Sequence, residues 1–166
     1  MKKIILTSLL SISFSMTSQN EVQKRNNFKL EIAANETQQY VADIPEGPYF
    51  VKDKILQIYC GEKIFVECEI ESDSISKMKV VEKNNFPERT IVIEFTQNSE
   101  NRKEISTELW VKNPFSKTLK YEAMMFTPNR QEWRSTSILP IMPNLQNFEH
   151  WPHAIVTLVL GNWRVE

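Results

Sequence analysis

Ile64-Phe65-Val66-Glu67-Cys68-Glu69-Ile70-Glu71 is the stretch that decides the fold. Ile64, Val66, Cys68 and Ile70 alternate with Phe65, Glu67, Glu69 and Glu71, a period of two. Successive side chains of an extended strand point to opposite sides of a sheet. The stretch is therefore expected to bury an aliphatic row and to solvate an acidic one, as half-covered antiparallel strands do. On a helix the same residues would scatter around the axis.

The same period recurs on both sides of it. Ile75 to Val81 is a weaker strand, and Thr90 to Thr96 sets Ile91, Ile93 and Phe95 on one face. Ser106 to Lys112 sets Thr107, Leu109 and Val111 against Glu108, Trp110 and Lys112. Thr118 to Phe126 sets Leu119, Tyr121, Ala123 and Met125 against Lys120, Glu122, Met124 and Phe126. Ala154 to Leu160 is apolar on both parities and reads as a central strand, with Trp163 to Val165 as its continuation. Earlier, Phe28 to Ala34, Gln38 to Ala42 and Tyr49 to Tyr59 are shorter strand candidates, and one or two helical turns are expected around Leu145 to Trp151. Asn- and Pro-rich turns separate these runs, and Pro140 and Pro143 confine Ile138 to Met142 to an edge or an extended loop, because proline cannot donate to a ladder.

Short strands at this spacing predict an all-β chain, an antiparallel β-sandwich, with a half-open β-barrel as the alternative. Leu109-Trp110-Val111-Lys112-Asn113-Pro114-Phe115, a strand closed by Asn-Pro, resembles extracellular immunoglobulin-like modules. The resemblance implies an immunoglobulin-like architecture and no functional residues. The Cys…Trp…Cys staple of true immunoglobulin domains is absent, since Cys60 and Cys68 stand too close together.

Met1 to Ser18 reads as a secretory signal peptide: Lys2 and Lys3, then apolar Ile4 to Ile12, then small polar residues to Ser18. The apolar run is too short to span a bilayer. Residues 19–27 are expected to be a flexible lead-in and residues 28–166 a single sandwich domain. The chain is thus expected to be exported, periplasmic or secreted, with no transmembrane anchor once the signal is cut. Cleavage leaves 166 − 18 = 148 residues, enough for one domain with its own core. Loss of the two lysines leaves 18 basic against 21 acidic side chains, a formal charge of −3 that exerts no pull on nucleic acid. Three glycines cannot build a phosphate-binding loop.

Cys60 and Cys68 leave two readings open. Oxidising compartments favour a disulfide, but Cys68 lies about 16 Å along its strand from Cys60 at ~3.3 Å per residue, and bridged Cα atoms stand within about 7 Å. A buried free thiol at Cys68 is the other reading.

Both histidines lie in Glu149-His150-Trp151-Pro152-His153. Imidazoles beside a carboxylate suit zinc or copper, so Glu149, His150 and His153 are candidate metal ligands. A nucleophile elbow of the G-x-S-x-G kind is absent and Cys68 faces the predicted core, so no enzyme and no cofactor is expected. Aromatics offer a different chemistry. Trp110 falls on the charged parity of its strand, and Trp133 lies in a loop with Arg130 and Arg134. These four, with Trp151, form the candidate contact set, because tryptophan stacks on sugars or anchors protein partners. The alternative is that a second sheet or the N-terminal segment covers these rings. The expected function is a non-catalytic binding or assembly module of the cell envelope, its partner another envelope or extracellular protein. A periplasmic metal-binding protein and an inhibitor or immunity-type protein are the alternatives.

Overall fold

The computed structural model describes residues 23–72, 74–100 and 102–166, and the expected signal segment and residues 19–22 lie outside them. In chain order the strands are β1 Lys24–Arg25, β2 Phe28–Ala33, β3 Gln39–Ile44, β4 Gly47–Pro48, β5 Phe50–Lys52, β6 Ile55–Tyr59 and β7 Lys63–Glu71, followed by β8 Ser74–Val81, β9 Thr90–Asn98, β10 Ser106–Lys112, β11 Leu119–Phe126, β12 Trp133–Thr136, β13 Gln146–Trp151 and β14 Thr157–Val165. Two five-stranded antiparallel sheets hold most of them. The first runs β13-β10-β9-β7-β8 and the second β12-β11-β14-β6-β5. The sheets do not close on each other, so the chain is a β-sandwich and the half-open barrel is set aside.

The expected alternation builds the core. Ile64 and Val66 of β7, Ile91, Ile93 and Phe95 of β9, and Leu109 and Val111 of β10 face inward from the first sheet. Leu56, Ile58, Leu119, Leu158 and Leu160 meet them from the second. Each fully buried side chain of this size contributes about 1.5–3 kcal/mol of transfer free energy. Thr107, on the inward parity, is polar and fully buried. Its hydroxyl donates to the His153 carbonyl at 2.8 Å and accepts the Ile155 N–H at 3.1 Å. It thereby fixes the crossing between the sheets.

Several expectations change. The helical turns placed at Leu145 to Trp151 are instead β13, an edge strand in register with β10 from Thr107↔Trp151 to Lys112↔Gln146. What holds this segment extended is tertiary. Asn113, with no exposed surface, donates to the carbonyls of Lys117, Ile141 and Met142 at 2.8–3.1 Å and accepts the Phe115 N–H. Its own N–H bonds to the Leu145 carbonyl, and the loop so pinned delivers the chain to β10 as a strand. Ala154 to Val156 are a buried crossing rather than strand, and β14 starts at Thr157. The Tyr49 to Tyr59 stretch is broken into β5 and β6 by a turn in which Asp53 has φ 43°.

Two members of the deciding stretch also depart from their rows. Glu67 is buried rather than solvated, with Arg89 at 2.8 Å and Lys79 at 3.5 Å. The short 3₁₀ turn Pro87–Arg89 lays that arginine over the sheet. Ile70 is exposed rather than buried, because the register with β8 shifts between Glu69 and Ile70.

The described part of the expected lead-in is held in place. Gln23 N–H bonds to the Val80 carbonyl, β1 pairs with β4, and Arg25 is buried. The β2–β3 hairpin docks on the end of β9 through a reciprocal pair: Ala33 N–H to Gln97 Oε1, and Gln97 Nε2 to the Ala33 carbonyl. Cys60 and Cys68 are both free and buried, so the bridge that the sequence left open is not formed. Burial pushes both thiols up to about 12. Among the described residues no helix is long and apolar enough to cross a membrane.

Candidate aromatic face on the first sheet

Side chains directly opposite each other on paired strands share a face. On the outer face of the first sheet the register therefore assembles two rows. Phe148, Trp110, Glu94 and Lys63 form one, on β13, β10, β9 and β7 in turn. His150, Glu108 and Thr96 form the next. Lys63 Nζ lies 2.8 Å from Glu94 Oε2 and 5.6 Å from the centre of the Trp110 ring. His150 Nδ1 lies 3.3 Å from Glu108 Oε1. A shallow groove runs between the rows, lined by Lys63, Glu94, Thr96, Glu108, Trp110 and Phe148. Trp110 is half-buried and Phe148 is 60% exposed, the most open aromatic ring among the exposed large hydrophobics.

The candidate contact residues do not converge. Trp110 is on this face. Trp133 is on β12, at the edge of the other sheet, tilted against Phe126 with ring centres 5.5 Å apart. Arg130 and Arg134 stand beside it, 4.0 and 3.6 Å from Glu132. Trp151 is buried, and its Nε1 donates to Thr136 Oγ1 across the open side of the sandwich. The helical expectation at Leu145 to Trp151 hides Phe148, which lies outward on β13. Its alternation with Asn147 and Glu149 is the signal that a strand reading would have used.

The candidate metal ligands separate as well. His150 and Glu149 are neighbours on a strand and so point to opposite faces. Glu149 Oε1 accepts the Leu139 N–H and the Asn147 side-chain amide, both at 2.8 Å. His153 lies beyond the strand, with its ring held below the usual imidazole range by partial burial. Among the described residues no three His, Cys, Asp or Glu side chains gather as a metal site.

A second aromatic cluster lies on the outer side of the second sheet. Tyr59 points outward there, and the N-terminal segment covers it. Phe28 meets its ring edge-on at 6.1 Å, and the Arg25 guanidinium lies 4.8 Å from its centre and 4.5 Å from that of Tyr49. Arg25 donates Nε to Glu62 Oε1 at 2.7 Å and Nη2 to Glu62 Oε2 at 3.1 Å and to the Gln57 carbonyl at 2.7 Å. Glu62 Oε2 also accepts the Tyr59 N–H at 2.7 Å. Burial, foremost, holds both tyrosine hydroxyls above their ordinary range. Nothing local marked Arg25, whose partner lies 37 residues away.

Chemically, the first face offers an indole, a phenyl ring, an ammonium, two carboxylates, a hydroxyl and an imidazole, arranged on a rigid sheet. It can stack and hydrogen-bond, and its lining has no thiol. Compared with known protein families, with curated proteins and with solved structures, the chain matches none.

Proposed function

We propose that this chain is a non-catalytic binding module of the cell envelope, and that its contact face is the outer face of the first sheet around Trp110 and Phe148. One observation carries the reading. Two aromatic rings stand in register on a sheet face, Trp110 half-buried and Phe148 exposed, whereas the outward tyrosine of the other sheet is packed under Phe28 and Arg25. Exposed aromatics on rigid strands supply contact area at low entropic cost, which is why they anchor interfaces. Met1 to Ser18 supports the export half of the reading.

Co-sedimentation with isolated native envelope tests it. The parent chain is expected in the pellet, and the Trp110→Ala, Phe148→Ala double variant in the supernatant with an unchanged melting temperature. A parent chain that stays in the supernatant, or a double variant that pellets with it, sinks the assignment.

A further inference from the structure

Resting on that reading, we infer that the groove beside Trp110 and Phe148 takes an uncharged glycan, a chain of pyranose sugars lying across the strands. Charge complementarity decides the class. Each carboxylate of the two rows has a partner within the face, Lys63 on Glu94 at 2.8 Å and His150 on Glu108 at 3.3 Å. Both carboxylates of the two rows are already hydrogen-bonded within the face, and Lys63 is engaged with one of them. The remaining complement is a ligand with apolar faces and many neutral hydroxyls.

Geometry fits the same class. The axial C–H groups of a pyranose form an apolar face that stacks on an indole, and its equatorial hydroxyls radiate in the ring plane. Around Trp110 those hydroxyls meet acceptors at Glu94 and Glu108, a donor at Lys63, and groups that do both at Thr96 and His150. The Lys63–Glu94 ion pair and the His150–Glu108 hydrogen bond hold these side chains in one arrangement before the ligand arrives, which lowers the ordering cost of binding. The row from Phe148 to Lys63 crosses four strands. At about 4.8 Å per strand it spans roughly 14 Å, near the length of three linked sugar rings. Phe148 and Trp110 then serve adjacent sugars.

The test titrates the chain with soluble hexasaccharides of four kinds, cello-, xylo-, manno- and chito-oligosaccharide, read by tryptophan emission and by calorimetry. At least one is expected to bind saturably. Trp110→Ala should weaken it about tenfold or more, the worth of one stacked ring. Phe148→Ala should weaken it severalfold, while Trp133→Ala on the other sheet leaves it unchanged. Raising the salt tenfold should change the affinity less than twofold, since no net charge is neutralised.

Saturable binding by none of the four, binding that survives Trp110→Ala, or binding that collapses with salt overturns the inference. Envelope pretreated with protease or with periodate separates this failure from that of the binding reading. Capture lost with periodate and kept after protease supports the glycan. Capture by the Trp110 face that is lost with protease and kept after periodate leaves a binding module whose ligand is a protein, and ends the glycan proposal.

Discussion

Glu62 and Lys63 are neighbours in the chain and end in two clusters made from the same parts. Each cluster has a cation over an aromatic ring and a carboxylate within 2.8 Å of that cation. On the second sheet the parts are Arg25, Glu62 and Tyr59. On the first they are Lys63, Glu94 and Trp110. The side chains of Arg25 and Glu62 are 6% and 11% exposed, and those of Lys63 and Glu94 are 50% and 38% exposed. The difference lies in what covers them. The N-terminal segment, through Phe28 and Arg25, lies over Tyr59, whereas Trp110 is half-buried and meets the half-exposed Lys63 ammonium. On the proposed reading, coverage turns one constellation into structure and leaves the other for a ligand. Gly61, with φ 95°, makes the turn that sends the two neighbours apart.

If that contrast is right, substitutions in the covered cluster register in stability and those in the open one in binding. The largest effect is expected at Arg25. Arg25→Met leaves Glu62, only 11% exposed, without its counter-ion and removes the guanidinium between Tyr49 and Tyr59. Breaking a buried pair from one side costs about 3 kcal/mol or more. In a chain of this size that lowers the melting temperature by about 6 °C or more. A loss under about 1 kcal/mol in urea unfolding would break the contrast, since the covered pair would then behave as a surface one.

Alkali should act on the covered cluster and on the core between the sheets. Cys60 adjoins the covered cluster, and burial pushes its thiol and that of Cys68 from an ordinary 9 up to about 12. Tyr49 and Tyr59 are raised for the same first reason. The folded chain therefore keeps protons that the unfolded chain gives up. Stability from these groups is complete below pH 9 and is lost as the pH rises from 9 towards 12. Urea midpoints measured under reductant should be level up to pH 8.5 and fall steadily beyond. A midpoint that stays level to pH 10.5 would contradict the burial assigned to the thiols.

Gly61→Ala comes next. A side chain meets open space there, so the cost is conformational alone. Holding a non-glycine residue at φ 95° costs on the order of 1–2 kcal/mol. Because the turn aims Glu62 and Lys63 to opposite sides, the substitution should also weaken envelope capture, unlike Arg25→Met assayed well below its melting temperature. Lost stability with full capture would show that the first face is built without help from the turn.

How far such a contrast can be read in advance depends on the range of the interaction. Alternation reports which side chains share a face, and it placed Leu109 and Val111 inward and Trp110 outward correctly. It also gave the inward row of β11 from Leu119 to Ala123. It does not report which outward residues are covered, because coverage is set by distant segments. Glu67 sits on the acidic row of its strand, yet Arg89 closes over it from 22 residues away. Arg25 lies in a polar stretch with no periodicity, and only docking on Glu62 makes it structural. Phe148 was hidden for the opposite reason, since its strand is dictated by Asn113 and β10 rather than by its own weak pattern.

The smallest effect is expected at Lys63, and it sharpens the contrast most. Lys63→Met keeps the aliphatic stem beside Trp110 and removes the ammonium from both Glu94 and the ring. The pair is half exposed, so solvent already screens it, and exposed pairs of this kind contribute about 0.2–1 kcal/mol. The cation–π contact at 5.6 Å adds little more at an exposed site. Equilibrium unfolding should therefore show a loss below about 1 kcal/mol, a fraction of that for Arg25→Met. Binding should respond more, because Glu94 is then free to swing away from the groove and the row loses a donor. A destabilisation as large as that of Arg25→Met would mean that the first face is a second structural staple. Its aromatic rings would then be exposed by accident of packing rather than held ready for a ligand.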